Sequence, residues 1–144
     1  MPAQVAFRLP SRPFAALGRH RPPLLDRSHT ELRARVVADI AAQAHDPELT
    51  PARLAADQGI SLRTLNRLFE HGPMSVTCHI AHAHLDLALG LLRDPRLAHR
   101  PVDDVATLAG YASASALHRA VVKATGLTPE AYRARVLDGP LPRA

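Results

Sequence analysis

Arg63, Thr64, Asn66 and Arg67 crowd into residues 63–67, interleaved with Leu65 and followed by Leu68 and Phe69. Residues three and four apart share one face of a helix. Wound as a helix, this stretch buries Leu65, Leu68 and Phe69 and turns Leu62, Arg63, Thr64, Asn66 and Arg67 outward. A guanidinium is a planar fork of donors that matches a carboxylate, a phosphate or the O6/N7 edge of guanine. An asparagine amide offers donor and acceptor together, which matches adenine N6/N7. The chemistry of the set is hydrogen-bonded recognition rather than bond breaking. The competing reading is the ordinary solvated face of an amphipathic helix.

A second chemical cluster is Cys78, His79, His82 and His84, with His71 upstream. Cys78 and His82 are four apart, and His79 and His82 three apart, so each pair fits one helix face. A structural zinc site wants four ligands, and no second pair completes this one. Neither a metal nor a cofactor is expected. A lone thiol on an amphipathic helix is ordinarily inert. The chain has no G-x-S-x-G, no phosphate-binding P-loop and no dinucleotide-binding glycine pattern. No catalytic residue is assigned, and the chain is not expected to be an enzyme.

The elements that position these residues follow from composition. The chain has 144 residues, 3% aromatics and no Trp. Alanine is abundant, and no segment alternates with period two. This disfavours a β-sandwich or barrel and predicts packed helices. The net charge is +5, but its distribution is uneven. Residues 1–35 hold seven arginines against Asp26 and Glu31, whereas residues 36–144 hold ten arginines and Lys123 against eleven acids. The whole excess therefore sits in the leading segment. Either that segment is a solvated tail or it touches an anionic partner. The single cysteine excludes an intramolecular disulfide and fits a reducing, cytoplasmic location. No apolar run approaches the ~18 residues that span a membrane. Pro10, Pro13, Pro22 and Pro23 break any apolar stretch of a signal peptide.

Residues 1–30 are Arg- and Pro-rich and predicted irregular. From Thr30 onward Leu32, Val36, Val37, Ile40, Ala41 and Ala44 form a helical apolar stripe that stops at Asp46-Pro47. Thr50-Pro51 restarts a helix and Gly59 ends it; Ser61 caps the next. A longer helix runs from about Ser75 to Leu92. Pro101 opens another, with Asp103 and Asp104 in its first turn. Gly110 ends that one, Ser113 caps its successor, and Thr128-Pro129 opens the last. The spacing predicts about seven helices.

Two stretches repeat. Leu54-Ala55-x-x-x-Gly59-Ile60-Ser61-x-x-x-Leu65-x-Arg67-x-Phe69 is echoed by Val105-Ala106-x-x-x-Gly110-Tyr111-x-Ser113-x-x-x-Leu117-x-Arg119-x-Val121, with one extra residue in the second turn. Each unit reads as short helix, glycine turn, capped helix: a helix-turn-helix. The linking helix of ~18 residues is ~27 Å long at 1.5 Å per residue. With the bodies of the units added, two reading helices would stand about one DNA turn apart, ~34 Å.

With this repeat, residues about 32–136 resemble the DNA-binding domain of AraC/XylS-type transcriptional regulators. The run G-L-T-P-E-A-Y-R (Gly126–Arg133) is the most family-specific part. The resemblance implies an all-α fold of two helix-turn-helix subdomains joined by a linker helix. It occupies residues 31–136, between the leader 1–30 and a C-terminal tail 137–144. It implies a sequence-specific regulator that inserts two recognition helices into successive major grooves, with double-stranded DNA and RNA polymerase as partners and no membrane. The family's base-contacting positions fall on Arg63, Asn66 and Arg67, with Thr64 beside them. The second reading surface is Ser115, His118 and Arg119, with Ala114; its small residues suit docking better than base readout. Most members carry a sensing domain, for which 144 residues leave no room, so the chain resembles the small members or a truncated longer one.

Two departures from the family pattern carry expectations. Leu117 and Val121 stand where phenylalanine is usual, which implies a smaller second core. His84 stands where the linker helix usually presents arginine, and His82 near another, which implies weaker phosphate attraction, with the Arg-rich leader as a compensating arm. The alternative reading is a degenerate fragment that keeps the fold as a protein-interaction or metal- or ligand-sensing module.

Overall fold

The computed structural model of the chain describes residues 23–139. The chain divides into two compact units, residues 1–34 and 35–144. Of the first, the described part is the leading portion of helix α1 (Pro23–Ala42), which continues into the second. This helix begins upstream of Thr30, so residues 23–30 are not irregular as expected. Proline is well placed in a first helical turn, where its missing N–H forfeits no bond. Pro22-Pro23 is therefore compatible with a helix start as well as with a break. Of the leader 1–30 proposed as a DNA-touching arm, residues 1–22 lie outside the described residues, as do residues 140–144 of the tail 137–144.

The described residues form seven α-helices and one 3-10 turn, with no strand. After α1 come α2 (Pro51–Asp57), α3 (Leu62–Phe69) and α4 (Val76–Arg93), then the 3-10 turn Pro95–Leu97. The chain continues with α5 (Val102–Leu108), α6 (Ala114–Thr125) and α7 (Pro129–Asp138). α2 packs on α3 and α3 on α4; α4 also packs on α5, α6 and α7, which pack in sequence on one another. The expected all-α pair of helix-turn-helix subdomains on a linker helix is the observed architecture.

Hydroxyls start five of these helices. Thr50, Ser61, Ser75, Ser113 and Thr128 each accept from the backbone N–H three residues on, at 3.1–3.2 Å. Pro101 precedes α5 without a side-chain cap, and Asp103 and Asp104 occupy the first turn instead, where carboxylates complement the dipole. The two repeats close alike: α2 and α5 both run into a glycine with positive φ, +66° at Gly59 and +78° at Gly110.

Burial follows the predicted stripes with local exceptions. Val36, Ile40 and Ala44 are buried, but Ala41 is exposed: it lies toward the solvent edge of the α1 stripe. In the first subdomain Leu54, Ala55, Leu65 and Phe69 are buried. In the second, Ala88, Leu92, Val105, Ala106, Ala109, Leu117 and Val121 form one cluster, with Leu85, Leu89, Leu91, Tyr111 and Tyr132 packed against it. Leu117 and Val121 are fully buried, so the smaller side chains still sit in a closed core. A fully buried Leu of this kind stabilises by about 1.5–3 kcal/mol.

Side-chain bonds fix the segment between α1 and α2. Gln58 at the end of α2 donates its amide to the Asp39 carboxylate on α1. Arg53 Nη1 pairs with Asp46 Oδ2 at 2.6 Å. Asp46 also accepts from the Glu48 amide at 2.8 Å, and that bond, then Arg53, holds its carboxyl below the usual range. Asp94 is held low in the same way by the Arg96 side chain and amide. Both folded-state pKa values lie below the unfolded ones. Their contribution is therefore present at neutral pH and is lost as pH falls through the carboxylate range. Urea unfolding at pH 7 should rank the chain above D46N/D94N, and the difference should shrink as pH falls through the carboxylate range. A difference that does not shrink would show that the amide replacements act otherwise.

Candidate nucleic-acid interface

Helix α3 meets the first requirement of a reading helix, a face secured from behind. Leu65 and Phe69 anchor it in the core while Leu68 is half-buried. Arg63, Thr64, Asn66 and Arg67 are all exposed on the other side. The structure thus brings the first set of sequence-predicted residues together on one surface. Thr64 also joins the helix cap. Its Oγ1 lies 2.9 Å from Ser61 Oγ, and its backbone N–H donates to the same oxygen at 3.1 Å. The cap therefore orients Thr64.

Arg63, Asn66 and Arg67, with Leu62 and Glu70, line a shallow depression of about 500 Å³. Glu70 was not among the predicted residues. It follows the last apolar anchor and reads as a helix end, yet it stands three residues from Arg67 and four from Asn66, so the spacing itself could have found it. It adds an acceptor to a surface otherwise rich in donors, the group that would take a hydrogen bond from cytosine N4.

The second surface is built on α6. Leu117 and Val121 are buried, and Ser115, His118 and Arg119 are exposed on the opposite side. They share a depression of about 310 Å³ with Asp103 of α5 and Glu130 of α7. Neither carboxylate was predicted, because each comes from a different helix and reaches this surface only through packing. They place two carboxylates in the depression that holds Arg119, against the single Glu70 beside α3, and oppose a phosphate there.

Cys78, His71 and His82 are exposed. The His79 ring stands edge-on to Phe69, centroids 5.2 Å apart. Among the described residues, no three His, Cys, Asp or Glu side chains gather where they could hold a metal ion. His84 is not a surface position from which a cation has been lost. It is half-buried, with Nδ1 at 2.6 Å from Ala44 O and 3.0 Å from Ala109 O. The side chain bonds to backbone carbonyls inside the fold, a role that the charge-based reading of this position did not give it.

Known proteins share this arrangement. The family described as "Helix-turn-helix domain" matches residues 54–135. The transcriptional activator NphR of a Rhodococcus species is 32% identical over 108 residues, which is 75% of this chain and 31% of NphR, so the chain spans less than a third of that relative. The crystal structure of a DNA-binding transcriptional dual regulator from Escherichia coli K-12 superposes with a TM-score of 0.63 at 25% identity, covering 72% of this chain and 96% of that one. An AraC-type regulator structure from Chromobacterium violaceum has a TM-score of 0.66 at 18% identity over 79% of this chain and 99% of its own, a likeness of fold. Among the described residues no helix is long and apolar enough to cross a membrane. With both helix-turn-helix units, their caps and their glycine turns in place, this chain belongs to the AraC-type helix-turn-helix family of DNA-binding transcriptional regulators.

Proposed function

We propose that the chain binds double-stranded DNA sequence-specifically, with α3 and α6 entering successive major grooves and α3 supplying most of the base readout. The observation that carries this reading is the division of α3 into a fully buried anchor, Leu65, and an exposed face of Arg63, Asn66 and Arg67. Arg63 and Arg67 donate bidentately to guanine, and Asn66 pairs with adenine. Thr64, held by Ser61, contacts the backbone or a thymine methyl. On α6, Ser115, His118 and Arg119 dock the second lobe. The small side chains of Ala114 and Ser115 reach base edges poorly, so this lobe positions more than it specifies, while Asp103 and Glu130 beside it limit how many phosphates it holds. By analogy with NphR, whose name gives an activator, the bound chain would act on transcription through RNA polymerase, in the cytoplasm. No catalytic role is assigned to any residue.

Titration of labelled duplex at two salt concentrations tests the reading. Each phosphate that an arginine or lysine neutralises steepens the loss of affinity with salt, so binding should weaken markedly between roughly 50 and 200 mM. Absence of binding at the lower concentration would overturn it and favour a protein-interaction module.

A further inference from the structure

The linker helix does more than span the two units. His84 sits at its middle, and its Nδ1 faces two carbonyl oxygens from opposite sides of the molecule's repeat. One acceptor, Ala44 O at 2.6 Å, belongs to the segment tied to the first subdomain: Asp39 holds Gln58 and Asp46 holds Arg53, both on α2. The other, Ala109 O at 3.0 Å, ends α5 of the second. A carbonyl oxygen can only accept. Nδ1 must therefore carry the hydrogen, shared between both acceptors, which fixes the tautomer without reference to Nε2. The ring is confined on its second-subdomain side as well. Tyr111 lies 5.8 Å away between centroids. A Cβ on Gly110 would fall within 3.0 Å of both the His84 ring and Ala44 O. The subdomains thus touch backbone to backbone, and one N–H bridges the seam.

From this juxtaposition we infer that His84 is a positioning residue: it locks the two helix-turn-helix units at one separation and so sets the spacing of the two half-sites the chain recognises. The consequence for DNA rests on the two-groove reading; the lock itself does not. A packing role alone would need the bulk of the ring. The lock needs a donor at the Nδ1 position. An asparagine places its amide N–H close to that point, whereas glutamine carries it further out, toward the position of Nε2.

The test uses the full chain with Cys78→Ser, whose thiol is exposed, and cysteine spin labels at Ala52 on α2 and Lys123 on α6, both exposed. Electron–electron distance distributions are measured without DNA. The expected result is one narrow distance in the parent, a broad distribution in His84→Ala, and a narrow one restored by His84→Asn but not by His84→Gln. On duplexes in which one base pair is inserted between half-sites, the parent should discriminate by about tenfold and His84→Ala by about twofold or less, because a loose link lets each unit seek its own half-site. His84→Asn should recover the discrimination. A His84→Ala distribution as narrow as the parent's overturns the lock. So does equal behaviour of the Asn and Gln variants, or failure of the Asn variant to fold, since either would assign the role to bulk. If the parent binds no duplex, the groove reading fails, and the distance arm still decides the lock.

Discussion

Alanine at Gly110 should cost about 2–5 kcal/mol of stability, whereas alanine at Gly59, its counterpart in the first repeat, should cost about 1–2 kcal/mol. The sequence treats the two glycines as equivalent, and in backbone terms they are: φ is +66° at Gly59 and +78° at Gly110. Any residue with a Cβ is strained in that region, which accounts for the smaller figure. Their surroundings differ. Around a Cβ on Gly59 nothing lies within 4 Å, so strain is the only cost. A Cβ on Gly110 would meet Ala44 O and the His84 ring inside 3.0 Å. Of these neighbours the ring can swing only by giving up its two carbonyl bonds, and Ala44 O is backbone in a segment held by side-chain bonds to α2. The substitution must therefore open the seam or distort α5. Urea unfolding of the two single variants checks the ranking directly. Equal losses would mean that the approach of Ala44 to Gly110 is unimportant for the fold. Combining Gly110→Ala with His84→Ala should recover little, because the backbone oxygen remains.

This asymmetry marks the limit of what local sequence encodes. Everything governed by local rules is readable. Ser61, Ser113 and Thr128 read as caps and accept the predicted backbone hydrogens. Leu54, Leu65, Leu117 and Val121 read as interior and are fully buried. The exposed faces of α3 and α6 follow from the same 3.6-residue period. What escapes depends on groups brought together from distant parts of the chain. Residues 44, 84 and 109 meet only once three elements have packed, and a histidine with two carbonyl partners leaves no spacing signature. By its charge His84 reads as a missing cation, whereas its geometry makes it a donor. Asp103 and Glu130 are equally invisible beside Arg119, since they arrive from α5 and α7. The start of α1 escapes for a different reason: a pair of prolines is compatible with a break and with a first turn, and local sequence does not choose between them.

The contrast between the two reading surfaces yields the most discriminating functional expectation. Arg67→Ala should abolish preference at one base pair, at a cost of about 1–3 kcal/mol against the cognate site and little against sites already changed at that position. Arg67 is exposed, and among the described residues no ion pair engages it. Its guanidinium is thus free of structural duty, and truncation should leave folding unchanged. Arg119→Ala should behave differently. Its surface includes the Asp103 and Glu130 carboxylates, which lower the local attraction for phosphate and leave at most a backbone contact. Affinity should drop modestly and equally for all sequences, with the salt slope reduced by about one. The measurement is competition binding of each variant against a set of single-base-pair substitutions, repeated at two salt concentrations. A sequence-specific loss at Arg67 beside a uniform, salt-linked loss at Arg119 assigns readout to α3 and docking to α6. If Arg67→Ala instead weakens all sites alike, that side chain contacts the phosphate backbone, and base readout must lie with Arg63 and Asn66 alone.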